Sequence, residues 1–495
     1  MKKVLSFILV TTILLLIPLQ VRANEYRTRD YNYNFWLKPV PSTPGYRLEK
    51  IVNVASLPGV FNYQESTDIH VGKDKIYIVD TAGSQVIVTD HDFNFIYRIR
   101  TFIDENKVFI RENGVQVTLT NPEGVFEAPN GDLYVADTGY RGGPDGSSRI
   151  IVFSPKTHTD GSFFYYVKNI IYKPENYMGK TNFLPSKLVV DNAYRIYVIV
   201  QGGNEGIVVL NNDGSFSRFF GTNEIRINPI DYFWKKLASK EQKQKMNLTF
   251  APPFNNIDVD RNGFIYATNS DSSTIYKVVR LNPSGLNVIR QEGYTLPIGD
   301  IATARDESRS NFIAVSVNDY GMYLVLDSSK GKIFLYNFDG ELLFIISGMG
   351  NIEGRTILPA DVSWLGDKIL VTDKTTGYVL VFTPTEFGKL VIGATKDYFA
   401  GKWDAAGEQW KKAIEYNANY ELAYVGYGKM LYMNGDYKEA AEYFKLGNNK
   451  NYYSLAYKKY RAEYMQEHFL LFLTPMILLA GLVIYSEVQY NRKRG

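Results

Sequence analysis

Six polar residues have the types and placement that could do chemistry: Asp68, Glu123, Lys187, Asn256, Asp300 and Asp361. Each stands at the start of an apolar stretch of a kind that recurs along the chain. A fold that gathers those stretches around one axis would bring the six side chains together. Carboxylates with an amide are hard oxygen donors, the set that Ca²⁺ takes. The same groups can hydrogen-bond the hydroxyls of a carbohydrate. Lys187 opposes a tightly held cation, and Asp and Asn at strand entries also cap turns through nearby backbone. A later acidic set, Asp80, Asp137, Asn269, Asp327 and Asp373, falls at strand exits and reads as structural.

Other chemistries find less footing. The chain has no cysteine, which removes disulfides, thiolate zinc sites and thiol nucleophiles. Histidine is limited to His70, His91, His158 and His468, with no His-Glu-x-x-His pair for a metal. There is no Walker-type phosphate loop and no nucleophile elbow. Lys+Arg 55 against Asp+Glu 52 leaves a net charge of +3, which argues against nucleic acid as the partner. The 38 Tyr and 29 Phe among 495 residues favour strands.

The elements that would position the six residues form a repeat. A turn and an apolar strand are followed by hydrophobic-Tyr-hydrophobic-x-Asp. The copies begin at Thr67 (with Ile76–Asp80), Pro122 (with Leu133–Asp137), Pro185 (with Ile196–Val200) and Asn256 (with Ile265–Asn269). A fifth pairs Pro297–Ile301 with Tyr323–Asp327, and a sixth pairs Pro359–Val362 with Ile369–Asp373. A third strand follows each copy, that of the fourth being Ile275-Tyr276. Small antiparallel sheets repeated six times bury both faces when stacked radially, which leaves few open edges. The expected fold is mainly β: a six-bladed β-propeller, then a small α-helical repeat region and one transmembrane helix. These motifs resemble the NHL-repeat propellers over roughly residues 50–385, with Asp137-Thr138 and Arg149-Ile150-Ile151-Val152 the best match. The propeller is assigned to 46–385, with insertions near 101–120, 155–180 and 222–250. Little β pattern remains after Pro384, so Tyr46–Val52 is expected to return as the outer strand of the sixth blade.

After Pro384 the period turns helical. Gly401-Lys402-Trp403-Asp404-Ala405-Ala406 recurs 34 residues on as Gly435-Asp436-Tyr437-Lys438-Glu439-Ala440, which resembles tetratricopeptide repeats over 390–466. The two ends speak of a membrane. Residues 1–23 have a basic start, an apolar run and a small-x-small end, the pattern of a secretory signal peptide, and 24–45 form an N-terminal extension. Residues 467–488 hold an uncharged run long enough for a spanning helix. The tail 489–495, with Arg492, Lys493 and Arg494, is expected in the cytoplasm by the positive-inside rule. The large domain would then lie outside the cytoplasmic membrane, tethered through lipid contact of one helix.

The loop containing Tyr232, Phe233, Trp234, Lys235 and Lys236 reads as a short amphipathic helix, packed on its own domain or touching a partner or headgroups. Two functions follow. One is a membrane-anchored binding scaffold of a bacterial membrane complex, with a protein partner such as a sugar-uptake permease and a carbohydrate as a further ligand. The other rests on a resemblance of fold to lactonase-like six-bladed propellers: a metal-dependent hydrolase or lyase using the channel. Scarce histidine and the lysine in the ring favour the scaffold.

Overall fold

A computed structural model describes residues 30–139, 147–221, 252–270, 274, 276–301 and 309–494. Residues 1–23, read from sequence as a signal peptide, and the loop from Tyr232 to Lys236 lie outside the described residues. Six antiparallel sheets stand around a central channel, five of four strands and one, the fourth blade, of three among the described residues. The inner strands are Ser66–Val71, Pro122–Glu127, Pro185–Val190, Asn256–Val259, Phe312–Val317 and Pro359–Leu365. Each packs beside the next, and the sixth returns to the first.

The repeat signature has a packing reason. The tyrosine of the second strand (Tyr77, Tyr134, Tyr197, Tyr266 or Tyr323) is buried in the core. The flanking aliphatic residues, such as Ile76 and Ile78, are fully buried too. The closing Asp ties one blade to the loop that enters it. Asp373 accepts backbone N–H bonds from Ile357 (2.6 Å), Leu358 (3.0 Å), Thr375 (3.1 Å) and Thr376 (3.0 Å). Asp137 does the same for Thr120 and Asn121 and also faces Arg149 at 3.4 Å.

The ring closes with Tyr46–Asn53, which pairs antiparallel with Tyr378–Pro384, from Tyr46↔Pro384 to Asn53↔Tyr378. The outer strand of the sixth blade therefore comes from the N-terminal side, as the shortage of strands after Pro384 implied. Two strand assignments need correction. The inner strand of the fifth blade is Phe312–Val317, not Pro297–Ile301. The third strand of the fourth blade, expected at Ile275-Tyr276, is Val278–Leu281, paired with Ile265–Thr268; Ile275 itself lies outside the described residues.

Six helices follow: α1 Glu386–Phe399, α2 Trp403–Tyr416, α3 Glu421–Asn434, α4 Tyr437–Leu446, α5 Lys450–Glu467 and α6 Phe469–Arg492. Thr385 caps α1, its hydroxyl accepting from the Gly388 N–H at 3.1 Å. Gly401 and Gly435, 34 residues apart, both take left-handed φ (+75° and +91°) where α1 and α3 end. Helices α2 and α3 pack closely because Gly426 faces Trp410: a Cβ there would lie 2.4 Å from the indole nitrogen. Helices α1–α4 share one apolar core with blades five and six, in which Phe344 meets Phe387 (5.8 Å) and Tyr420 (6.2 Å). A hairpin at Tyr31–Tyr33 and Pro39–Pro41 bridges the two parts, with Asn32 bonded to Leu343 O at 3.1 Å and Phe35 N–H to Glu421 at 2.7 Å. Helix α6 buries no residue and is long and apolar enough to cross a membrane.

Asp300 lies away from the channel, under that hairpin. It accepts from the Tyr31 hydroxyl (2.6 Å), from Tyr33, and from Lys330 (2.9 Å) and Lys332 (2.7 Å). Burial pushes its carboxyl up, but Lys332 and the hydrogen bonds from Lys332, Tyr31 and Tyr33 outweigh it and hold the group well below its ordinary value. Asp373 is also held low, its N–H bonds to Thr376, Leu358 and Ile357 overcoming burial. Both carboxylates thus stabilise the fold above their unfolded pKa, and that stability is lost as pH falls below about 4. In guanidinium titrations, Asp373→Ala is expected to cost about 2 kcal/mol at pH 7. Asp300→Asn should flatten the decline in stability between pH 5 and pH 2.5; an unchanged acid slope would contradict this role of the Asp300 carboxylate.

Candidate functional site

The inner edge of every propeller blade exposes a row of N–H and C=O groups that no further strand pairs. In this chain side chains from the preceding blade cap that edge. Asp68 of blade one accepts from the Val125 N–H of blade two at 2.7 Å. Asp361 of blade six accepts from the Ile69 N–H of blade one at 3.1 Å, and Asn256 of blade four from the Val315 N–H of blade five at 3.3 Å. Four of the six sequence-predicted residues, Asp68, Lys187, Asn256 and Asp361, do meet in the channel. The ring position of blade two is Gly124, where a Cβ would lie 2.4 Å from Ser186 O. Its neighbour Glu123 turns to Asn121 (3.1 Å) and Gln201. In blade five the position is Ala314, and Asp300 is absent from the ring.

The donors in the ring do not suit Ca²⁺. Both oxygens of Asp68 are engaged, one by Val125 N–H and one by the Lys187 ammonium. Both oxygens of Asp361 are engaged too, by Ile69 N–H and by the Asn256 amide at 3.3 Å. Lys187 also reaches Thr67 O (3.0 Å) and stands 3.9 Å from Asp361, so the ammonium already fills the cation's place. The remaining space is about 40 Å³. Among the described residues no group of three or more His, Asp and Glu could hold a metal. The ring is a floor that binds the blades together.

Burial lowers the pKa of Lys187, but Asp68 and Asp361 more than restore it; burial pushes Asp361 well above its ordinary range against the pull of Lys187. Lys187→Met is expected to destabilise the propeller by about 2–3 kcal/mol at pH 7, since two carboxylates then face each other unpaired. An acid whose folded pKa is raised binds protons preferentially in the folded state as pH falls. The deficit should therefore shrink between pH 7 and pH 5 in denaturant melts; a constant deficit would refute the charge balance proposed for the floor.

Above the floor the channel widens into a mouth of about 440 Å³. Its wall includes His70, Phe126, Asp258, Ser316 and Ser363, each two residues beyond a floor position. The fixed count of two is the signal that could have found them, because strand side chains alternate. Asp258 accepts from Val317 N–H at 2.8 Å and from Val259 N–H at 2.8 Å, yet stays half-buried and open to the cavity. Burial pushes its carboxyl up to about 7 against those bonds. Burial likewise pushes the His70 imidazole down to about 4 despite Asp68, and the ring lies 4.6 Å from that of Phe126. The rim carries Tyr320 and the Asp367–Lys396 pair, the latter joining blade six to α1. A second cavity, about 70 Å³, is an internal crevice between the N-terminal hairpin, blade five and α3.

No protein-family model matches the chain, and no curated protein is similar to it in sequence. Among solved structures it is similar to virginiamycin B lyase from Staphylococcus aureus, at 12% identity and a TM-score of 0.39 over 68% of this chain and 99% of that one. A streptogramin B lyase structure gives 11% and 0.39, covering 69% of this chain and 100% of that one. A protein of unknown function from Bacteroides thetaiotaomicron VPI-5482 gives 10% and 0.41, covering 70% of this chain and 80% of that one. At these values the likeness carries no argument about chemistry.

Proposed function

We propose that the chain is a membrane-anchored binding protein of the extracytoplasmic side, a rigid scaffold in a bacterial membrane complex. The observation that carries this reading is the contrast between helices. Helices α1–α4 are fused into the propeller core, while α6 continues from α5 as 24 residues with none buried. An apolar helix of that length left bare is stable in lipid and not in water. The propeller then stands on a stiff mount and presents its faces to a partner, and Arg492, Lys493 and Arg494 hold the tail in the cytoplasm. The signal-like residues 1–23 and the repeat resemblances of the propeller and helices fit such an exported association module. A protein partner of the permease type is the class to seek.

The lack of cysteine makes the topology directly testable. A single cysteine is placed at Asn212, on a propeller turn, or at Arg494. A membrane-impermeant maleimide should label the Asn212→Cys protein in intact cells, and the Arg494→Cys protein only after permeabilisation. The reverse pattern, or recovery of the full chain in the soluble fraction, would refute the anchor. Cross-linking in membranes followed by mass spectrometry then identifies the partner.

A further inference from the structure

The mouth of the channel is far roomier than the crevice beside the hairpin, and neither the anchor nor the inter-blade floor uses it. Its volume of about 440 Å³ suits a small molecule rather than a polymer. The floor closes it below, since Lys187 bridges Asp68 and leaves little space between blades. Aromatic side chains from three blades line it: Phe126, Tyr320 and Trp364. Trp364 is fixed by its indole N–H, which donates to Ser316 O at 3.2 Å. Ser316 and Ser363 line the same space, and the Ser316 side chain bonds Asp258.

The charges are unequal. Asp258, Asp319 and Asp367 line the cavity, and the lysine among its lining residues, Lys396, is already paired with Asp367. Among the described residues no lysine or arginine pairs with Asp258, whose oxygens meet only neutral donors. A carboxyl so placed pays for its burial until a cation arrives, and aromatic faces attract cations as well. A neutral polyol would satisfy the hydroxyls and leave the net charge uncompensated.

We propose that the mouth of the channel binds a small protonated amine, with Asp258 as its counter-charge and Phe126, Tyr320 and Trp364 as its walls. This goes beyond the anchoring role and does not depend on it. The bound ammonium requires the carboxylate form of Asp258, so binding below neutrality releases a proton to solvent. The titratable groups around Asp258 are Asp260 just past the end of its strand, Tyr266 opposite it on the next strand, His70 on blade one, Asp319 on blade five, Asp367 with Lys396 at the rim, and Asp68, Lys187 and Asp361 in the floor. His70 stays neutral over the range concerned. Affinity should therefore rise between pH 6 and pH 8 with the ionisation of Asp258.

The test is titration calorimetry on the full chain in nanodiscs with ethanolamine and glucosamine, beside ethylene glycol and glucose as their neutral counterparts. At least one amine is expected to bind, with its neutral counterpart about tenfold weaker or worse. Asp258→Asn keeps an oxygen for the Val317 N–H and so should fold; thermal melting checks that it does. It should weaken the amine about tenfold and abolish the pH dependence. The proposal is overturned if no amine binds, if glucose matches glucosamine, or if folded Asp258→Asn binds as the parent does. None of these outcomes bears on the maleimide pattern, so failure here is separable from failure of the anchor.

Discussion

Replacing Lys429 by methionine is expected to lower the unfolding free energy by about 3–5 kcal/mol, the cost of leaving buried charges without their partner. Lys429 projects from α3 and is 7% exposed, between the rings of Tyr398 and Tyr452, each 4.8 Å from its ammonium. It faces Asp339 of blade five at 3.6 Å and Glu292, in the segment between blades four and five, at 3.7 Å. Burial pulls its pKa down, but Glu341, the two tyrosines and Asp339 together raise it well above the ordinary value. Glu341, also 7% exposed, is pushed up by burial and steadied by Lys429 and by Asn337 at 2.8 Å. Methionine keeps the aliphatic volume between the rings and removes only the charge. The deficit seen in chemical unfolding should shrink in the double variant Lys429→Met/Glu341→Gln, since one orphaned carboxylate is then gone. Equal losses for single and double variants would show that the pair is not coupled.

A chain lacking residues 30–53 is expected not to form a stable monomeric propeller. The deletion strips the outer strand from blade six and exposes the edge of Tyr378–Pro384 along the whole register with Tyr46–Asn53. It also removes Tyr46 from the core shared with the helices, and the Tyr31 and Tyr33 hydroxyls from Asp300. An open edge beside an apolar sheet recruits other chains, so aggregation on size exclusion and loss of a cooperative melt are the expected readouts. A synthetic peptide spanning 44–56, added during refolding, should recover monomer. A truncated chain that melts cooperatively at the parent temperature would show that closure is dispensable.

The blade pattern was legible because its residues answer to one packing demand. A tyrosine in the second strand must be buried, and an aspartate after it must hold the entry loop; Asp80, Asp137, Asp327 and Asp373 all do so. The closing strand was legible by counting strands. Blade five was not, because Phe312–Val317 carries neither the entry proline nor a polar ring residue, while Pro297-Ile298-Gly299-Asp300 imitates both. Spacing would have separated them: Gly124 pairs with Ala136, Lys187 with Ile199 and Asn256 with Thr268, and the same step back from Leu326 reaches Ala314. Four members of the ring, Asp68, Lys187, Asn256 and Asp361, were legible, but Glu123 and Asp300 lie elsewhere and the ring's purpose was hidden, since sequence does not show that an inner edge has unpaired N–H groups to cap. The mouth stayed hidden for a related reason. Asp258 and His70 are single residues on strands already explained by packing, and only their convergence gives them a shared space.

Because Tyr46–Asn53 is synthesised long before Tyr378–Pro384, the clasp of the ring is made of the earliest and latest parts of the propeller. At ordinary elongation rates the first half of the clasp waits on the order of 15–70 s for the second. Five blades can stack meanwhile, but none of them locks the circle. Any product cut short before residue 378 is therefore an open arc with an unmatched leading segment, a natural target for holdases and proteases. Fastening comes only shortly before the segment that forms the bare apolar helix α6 is made. Prematurely terminated copies thus lack both the clasp and helix α6, and quality control can sort whole molecules from fragments by a single late event.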